Sequence, residues 1–299
     1  MADTSPRIVS LLPAATEIVC ALGLRGRLVG RSHECDFPED VAALPVLTSA
    51  RVDSSLASGA LDAQVRAILE QELPLYALDE ARLSALAPDV VITQASCEVC
   101  AIDFELVETT LARTSSRAKL ISLQPARLGD VLDDIAAVAA ACGVAERGAE
   151  VVRGLRRRLE TIAPPAGARP RVAVVEWLAP PMLAGHWIPD CIAAAGGEPV
   201  GPPPGVPSPY ATWDEIRALR PDAVVLGLCG FDLERTLHES RAYEDELRSV
   251  CDRVLFMDGN AYLNRPGPRL VDAAEIIGGW LRGEVLPRGT GAACAVSIE

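Results

Sequence analysis

The side chains best suited to hold a soft metal ion lie just after short apolar runs of the kind that form buried strands. Cys97 and Cys100 make a C-x2-C pair, and His33 and Cys35 belong to a His-Glu-Cys-Asp segment. Thiolate and imidazole groups favour zinc or a similar ion, and C-x2-C is the usual half of such a site. The spacing predicts a metal site of three cysteines and one histidine. The full set of candidate metal ligands is His33, Cys35, Cys97, Cys100, His186 and Cys229.

Two other interpretations of the thiols stay open. Cys35 and Cys97 are small apolar side chains that pack well in a protein interior. A redox pair of the thioredoxin kind needs its first cysteine at a helix N-terminus, where the dipole lowers the pKa of the thiol. Glu98 lies between Cys97 and Cys100 and opposes that shift, because a nearby negative charge raises the pKa of a thiol.

Aromatic residues in the second half of the chain follow predicted strands or begin predicted helices. Trp187 lies in a Gly-His-Trp loop, and Trp213 follows Thr212, which is predicted to form a capping box with Glu215. Such positions favour a broad apolar pocket, while core packing is the alternative for each ring. The candidate ligand-binding residues are Trp177, His186, Trp187, Trp213, Phe231, Tyr262, Asn264, Arg265 and Arg269.

The composition excludes several other functions. A net charge of −13 opposes nucleic-acid binding, which needs a basic surface. The chain has one lysine, Lys119, outside any phosphate-binding loop, and it has no G-x-S-x-G segment for a nucleophilic serine. No apolar run reaches the ~18 residues of a membrane span, and no signal peptide is evident. We therefore expect a cytoplasmic protein with reduced thiols, or a periplasmic one if the start site is misassigned.

The elements that must position these residues alternate between short apolar runs and amphipathic segments, which is typical of an α/β fold with mostly parallel strands. Two segments recur in the same order. The run 6–12 (PRIVSLL) is echoed by 170–178 (PRVAVVEWL), and 83–92 (LSALAPDVVI) is echoed by 216–226 (IRALRPDAVVL). The recurrence predicts two similar α/β lobes.

A long amphipathic segment at 144–163 is predicted to be the single backbone helix that joins the two lobes. Ligands of open α/β sheets bind beyond the carboxyl ends of the strands, so this organisation predicts a ligand cleft between the lobes. The predicted parts are an N-terminal lobe at 1–124, a helical linker at 125–165, a C-terminal lobe at 166–285 and a flexible tail at 286–299.

Five segments carry a resemblance to a known family: 7–24 (RIVSLLPAATEIVCALGL), 27–38 (RLVGRSHECDFP), 85–94 (ALAPDVVITQ), 185–197 (GHWIPDCIAAAGG) and 264–275 (NRPGPRLVDAAE). With them the chain resembles the helical-backbone, class III substrate-binding proteins of ABC importers, of the ferric-siderophore and cobalamin type.

Five short motifs are similar to those of one branch of that family. They are His-Glu-Cys-Asp at 33–36, Cys-x-x-Cys-Ala at 97–101, Gly-His-Trp at 185–187, Cys-Gly-Phe at 229–231 and Arg-Pro-Gly-Pro-Arg at 265–269. The branch has no signal peptide, and its members are called cobalamin-binding proteins.

The resemblance implies a binding protein for cobalamin, a corrinoid, or for a related small-molecule metal chelate, with an ABC permease as a possible partner. It implies that the protein binds corrins mainly through aromatic and polar contacts. Trp177, Trp187 and Trp213 are then the expected apolar walls, with His186, His33 or a thiol near the metal.

A second hypothesis comes from the thiols and is independent of the resemblance. The chain would be a cytoplasmic zinc-binding protein or a metal-dependent hydrolase. Glu34 or Glu176 would act as the general base on metal-bound water. Under this hypothesis the bound cofactor is a transition metal such as zinc.

Overall fold

The computed structural model describes residues 6–71, 73–94, 104–113, 117–284 and 292–297. The chain divides into two compact units. Unit 1 is built from the described residues within Met1–Leu56, Ala60–Gln124 and Leu132–Arg153, and unit 2 from those within Ala57–Gly59, Pro125–Val131 and Gly154–Glu299.

Unit 1 holds a sheet of parallel strands. The strand order is β2-β1-β5-β6, and every neighbouring pair is parallel, as predicted. Strands β3 and β4 form a separate antiparallel pair. The strands are β1 (Ile8–Ser10), β2 (Leu28–Arg31), β3 (Thr48–Ala50), β4 (Tyr76–Leu78), β5 (Val90–Gln94) and β6 (Lys119–Leu123). The α-helices of this part of the chain are α1 (Pro13–Ala21), α2 (Ser58–Leu69), α3 (Glu80–Leu86) and α4 (Phe104–Arg113).

Two helices belong partly to each unit. They are α5 (Leu128–Ala141) and α6 (Ala145–Thr161). Helix α6 begins in unit 1 and ends in unit 2, so a long helix at the predicted position 144–163 is confirmed, and α5 also belongs to both units. The predicted bounds of the lobes, linker and tail stay predictions. The ligand cleft that the sequence predicts stays a prediction.

Unit 2 holds a mixed sheet whose central strands are parallel. Its strand order is β12-β11-β10-β7-β8; β7, β10 and β11 run parallel, β8 and β12 are antiparallel, and β9 pairs with β7. The strands are β7 (Arg171–Leu178), β8 (Pro181–Leu183), β9 (Glu198–Pro199), β10 (Ala223–Leu226), β11 (Arg253–Met257) and β12 (Ala293–Ser297). The helices are α7 (Ile188–Ala194), α8 (Trp213–Ala218), α9 (Leu233–Ser240), α10 (Glu244–Val250) and α11 (Arg269–Leu281), with a π-helical turn at Gly259–Leu263.

The recurring segments of the sequence form the same local structure in each unit. In unit 1, the backbone N–H of Arg7 donates to Oδ2 of Asp89 at 2.8 Å, and its guanidinium donates to the carbonyl of Leu86. In unit 2, the backbone N–H of Arg171 donates to Oδ2 of Asp222 at 2.7 Å, and its guanidinium likewise donates to carbonyls at the end of α8. The Pro-Arg and Pro-Asp segments thus join neighbouring strands at their start, which confirms the prediction of two similar α/β lobes.

Each unit has a core of its own. In unit 1, Val9, Val91 and Val107 are fully buried between sheet and helices. In unit 2, the β-branched and aliphatic residues of β7, β10 and β11 are buried against α7 and α11. No helix among the described residues is long and apolar enough to cross a membrane.

Candidate ligand-binding site

The rings of His186 and Trp187 form a stacked pair in the loop between β8 and α7 of unit 2. Their centroids are 5.4 Å apart with an interplanar angle of 27°. Both side chains are half-buried, so part of each ring is open to solvent. Stacked rings that keep an exposed face offer a flat apolar surface to a planar ligand.

A proline-rich strap, defined here as residues 201–211, holds His186 in place. The N–H of His186 donates to the carbonyl of Val206 at 2.7 Å, and the N–H of Gly205 donates back to the carbonyl of His186 at 2.9 Å. His186 itself has a φ of +49°, a left-handed conformation that is unfavourable for a residue with a side chain. Such a conformation persists where the surroundings over-determine it, and ligand clamps are common places for it.

The glycine of the Gly-His-Trp motif is required by the approach of the proline-rich strap. A Cβ at Gly185 would lie 2.2 Å from the carbonyl oxygen of Val206, which is far inside van der Waals contact. The N–H of Gly185 donates to Oγ of Ser208 at 3.0 Å. A larger residue at 185 would therefore displace the strap and, with it, the backbone that holds His186.

Trp187 links two loops that follow different strands. Its indole Nε1 donates to the carbonyl of Leu263 at 2.8 Å, at the end of the π-helical turn after β11. Trp187 and Tyr262 are partly buried and pack against the same core. The guanidinium of Arg269 lies over the ring of Tyr262, 5.4 Å from its centroid. The predicted ligand residues Trp187, Tyr262 and Arg269 therefore surround the carboxyl end of β11.

Trp177 and Phe231 form a layer beneath the surface of unit 2. Their rings meet edge to face with centroids 5.4 Å apart, and they are 8% and 1% exposed. The guanidinium of Arg235 covers Phe231, 3.5 Å from the ring centroid. The structure gives both rings a packing role at the carboxyl ends of β7 and β10, and direct ligand contact by either stays a prediction.

The polar residues predicted at the rim mostly bind other parts of the protein. Nδ2 of Asn264 donates to the carbonyl of Gly259 at 3.0 Å. Arg265 is 5% exposed, and its Nη2 donates to Oδ1 of Asn260 at 3.0 Å. Burial raises the pKa of Asp258, helped by the charge of Asp232 and opposed by the hydrogen bond from Ala261 and by Arg265 and Arg269. These groups fix the loop after β11.

Trp213 lies apart from this cluster, at the first turn of α8. Its ring contacts that of Tyr243 at 6.2 Å between centroids. The predicted capping box is confirmed: Oγ1 of Thr212 accepts from the N–H of Glu215, and the Glu215 carboxylate accepts from the N–H of Thr212. The bonds that the N–H and Oγ1 of Thr212 donate to the Glu215 carboxylate lower the pKa of Glu215.

In unit 1, His33 follows β2 and is held by neighbouring hydroxyl groups. Its Nδ1 lies 2.7 Å from Oγ1 of Thr48, and its ring contacts that of Tyr76 at 5.6 Å between centroids. Burial and the positive charge of Arg31 lower the pKa of His33. A neutral imidazole with one nitrogen fixed by a hydrogen bond is the form that binds metals.

Cys35 points into a different environment from His33. It is 1% exposed, and its Sγ lies 3.0 Å from Oγ1 of Thr16, which is also 2.8 Å from Oγ of Ser10. This buried hydroxyl network lies beside the first turn of α1 and gives Cys35 a packing role. The Cys35 thiol thus contacts the hydroxyl of Thr16, whereas the His33 ring contacts Thr48 and Tyr76.

The remaining predicted metal ligands are placed as follows. Cys97 and Cys100 lie outside the described residues. Cys229 is exposed in the turn after β10, where its N–H donates to the carbonyl of Glu176 at 2.9 Å. Among the residues that the structure describes, no group of three or more metal-ligating side chains could hold an ion. The four-ligand site stays a prediction, because half of its ligands are in the undescribed segment.

Sequence reasoning missed the groups that position His186. The proline-rich strap was visible as five prolines, but nothing local indicated that its carbonyl at Val206 would bind His186. Arg127 was also missed: its guanidinium makes two hydrogen bonds to Asp190 in the first turn of α7, which raise the pKa of Arg127. The distance of 63 residues between the two in sequence hides this pair.

The fold and the site together define the class of protein. Two α/β units with parallel central strands carry aromatic and polar side chains beyond the strand ends, which is the arrangement of binding proteins for small ligands. The chain matches the family model "periplasmic binding protein" over residues 8–225 and belongs to that family. The resemblance inferred from the sequence is therefore confirmed at the level of the family, whose members bind small ligands and deliver them to ABC permeases.

Vitamin B12-binding and heme-binding proteins are among those similar to the chain. A vitamin B12-binding protein of Vibrio cholerae is 23% identical over 283 residues, covering 92% of this chain and 89% of the relative. The structure of a periplasmic vitamin B12-binding protein of Vibrio cholerae has a TM-score of 0.64 at 20% identity, covering 93% of this chain and 97% of that one. A periplasmic heme-binding protein of Pseudomonas aeruginosa has a TM-score of 0.72 at 19% identity, covering 98% of both chains. These structures share the two-lobed α/β fold, as the sequence predicts.

Proposed function

We propose that this protein binds cobalamin, or another corrinoid, at the carboxyl end of the unit 2 sheet. The observation that carries the proposal is the stacked His186–Trp187 pair, which is half-buried and fixed by hydrogen bonds at both residues. A corrin ring is large, flat and apolar on its faces, and a preformed aromatic surface binds it without the entropic cost of ordering mobile side chains.

The metal of the chelate gives His186 a further role. Burial lowers the pKa of His186, so its imidazole is neutral at neutral pH and keeps a nitrogen lone pair. An imidazole of this kind is a good ligand for cobalt or iron. We propose that His186 lies beside the metal, where its imidazole would replace an axial ligand such as water if that ligand dissociates, while Trp187 and Tyr262 contact the macrocycle.

The polar groups around the site favour a ligand with neutral hydrogen-bonding arms. Arg265 is buried against Asn260, and Arg269 lies over the ring of Tyr262, so both guanidinium groups are engaged within the protein. Corrinoids carry amide side arms, whereas heme carries carboxylates that need cationic partners. This difference, together with the vitamin B12-binding relative, supports a corrinoid as the first choice.

Heme is the second candidate, and a specific observation favours it. A heme-binding protein shares the fold over almost the whole of both chains, and a neutral histidine is a common axial ligand of heme iron. The zinc function predicted from the thiols stays a prediction, as do the cytoplasmic location and an ABC permease as the partner of this chain.

Isothermal titration of the purified, chelator-washed protein with cyanocobalamin, hemin and zinc chloride in turn tests the proposal. We expect one equivalent of cyanocobalamin to bind more tightly than hemin. Tighter hemin binding would make heme the ligand. Zinc binding that Cys97→Ser with Cys100→Ser abolishes, without binding of either chelate, would favour the metal-protein hypothesis and contradict the proposal.

A further inference from the structure

Arg127 makes a two-point contact with the helix that begins at the binding loop. Its Nη2 donates to Oδ1 of Asp190 at 2.7 Å and its Nε donates to Oδ2 at 3.1 Å, while the N–H of Leu128 also donates to Oδ2 at 3.2 Å. A planar guanidinium bound to both carboxylate oxygens fixes orientation as well as distance. Asp190 lies in the first turn of α7, which begins immediately after Trp187.

The alkyl part of Arg127 lies against the proline-rich strap. A Cβ at Gly205 would lie 3.3 Å from Cγ and 3.6 Å from Cδ of Arg127, so the arginine stem covers this glycine. Gly205 has a φ of +85°, and its N–H donates to the carbonyl of His186. One side chain therefore packs against both chain segments that adjoin His186.

His186 depends on these two segments for its conformation. Its left-handed backbone is disfavoured for a residue with a Cβ, and its two backbone hydrogen bonds go to Gly205 and Val206 of the strap. If the strap or the start of α7 moved, His186 would relax toward an ordinary conformation. The stacking on Trp187 would then change.

We propose that Arg127 is a positioning residue for the His186–Trp187 pair. It acts through Asp190 and Gly205 and makes no contact with the ligand itself. The inference deepens the proposed function, because it names what keeps the site preformed. The measurement of ligand release rests on the proposed function, whereas hydrogen exchange in the free protein is independent of it.

Hydrogen exchange at the amides of His186 and Gly205 tests the positioning role without a ligand. We expect Arg127→Ala to speed exchange at both amides at least tenfold. The two amides form the hydrogen bonds between His186 and the proline-rich strap, and Arg127 holds the strap in place. Arg127→Lys keeps the charge and the stem but loses the planar fork, so it should give an intermediate effect. Arg217→Ala is the control, since the Arg217 side chain is about as exposed as that of Arg127 and pairs with an aspartate, Asp214, but this substitution should leave both amides unchanged.

Ligand dissociation gives the second measurement. Stopped-flow release of cyanocobalamin should be at least tenfold faster in Arg127→Ala than in wild type, with unchanged cooperativity of urea unfolding. Wild-type exchange rates at the two amides in Arg127→Ala would overturn the inference, and so would a uniform acceleration across unit 2. If the wild-type protein binds no chelate, the proposed function fails while the exchange experiment still decides the role of Arg127.

Discussion

The two units start their sheets in the same way and finish them differently. Arg7 with Asp89 in unit 1, and Arg171 with Asp222 in unit 2, join neighbouring parallel strands through equivalent hydrogen bonds. At the other end of the sheets, the described part of unit 1 holds Cys35 buried and His33 half-buried against hydroxyl groups. In unit 2 the half-buried rings of His186 and Trp187 lie on a loop that is bonded to the loop after β11.

This difference indicates which part of two similar units is suited to binding a ligand. The starts of the strands carry packing and hydrogen bonds that any copy of the lobe needs, so they stay alike. The loops after the strands are free to differ, and in unit 2 they form a preformed aromatic surface. The comparison predicts that substitutions in unit 2 change affinity, whereas substitutions at the shared starts change stability.

The largest effect is expected at Trp187. Replacing it by alanine removes the stacking partner of His186 and the bond to Leu263, so affinity for cyanocobalamin should fall about 100-fold, or roughly 2.7 kcal/mol. Tryptophan fluorescence quenching measures the dissociation constant. Trp213→Ala is the control, since that ring packs on Tyr243. An equal loss of affinity in both variants would contradict the assignment of the binding surface to the loop that carries Trp187.

His186 should give the next largest effect, about tenfold in affinity for His186→Ala. Its pKa in the folded protein is lowered from the ordinary 6.5 by burial. The neutral imidazole therefore persists as pH falls below 6.5, and affinity should drop only as pH passes through the lower folded pKa. Titrations between pH 8 and pH 4.5 measure this. A wild-type affinity loss centred at or above pH 6.5 would contradict the assignment.

The same lowered pKa makes a prediction about stability. Below pH 6.5 the unfolded chain takes up protons at His186 and His33 that the folded protein does not, so the free energy of unfolding should decrease as pH falls toward the folded pKa values. Urea unfolding from pH 7.5 to pH 5 measures the trend. His33→Gln with His186→Gln should flatten it, and an unchanged slope would show that other groups cause it.

The shared strand starts should contribute about equally to stability. Arg7→Ala and Arg171→Ala each remove guanidinium bonds to backbone carbonyls, so each should lower the free energy of unfolding by about 1 kcal/mol. Urea titration provides the comparison. A clearly larger loss in one variant would mean that the repeated sequence does not have the same role in the two units.

Cys35 should have the smallest effect on binding. Cys35→Ala leaves a small cavity beside Thr16 and should cost about 1 kcal/mol of stability. The affinity for cyanocobalamin should change less than twofold. A tenfold loss of affinity, measured beside a Cys229→Ala control, would show that Cys35 contributes to binding.

Much of the fold followed from the sequence because local patterns determine it. The Pro-Arg and Pro-Asp segments predicted the matching strand starts, and the long amphipathic segment predicted α6. The position of His186 could not be predicted, because it depends on the carbonyl of Val206 and on Arg127, which are distant in sequence. The environment of Cys35 was also unpredictable, since the His-Glu-Cys-Asp motif does not reveal the contact with the hydroxyl of Thr16 in α1.

The indole N–H signals of the protein during a cyanocobalamin titration test the central claim most directly. Cobalamin in this form is diamagnetic, and Trp187→Phe identifies the Trp187 signal. We predict that the Trp187 signal shifts and saturates at one equivalent. The signal of Trp280, which lies in α11 and is buried in the core of unit 2, should not move. Binding that leaves the Trp187 signal in place, or no binding at all, would contradict the claim that a corrinoid is held at the His186–Trp187 pair.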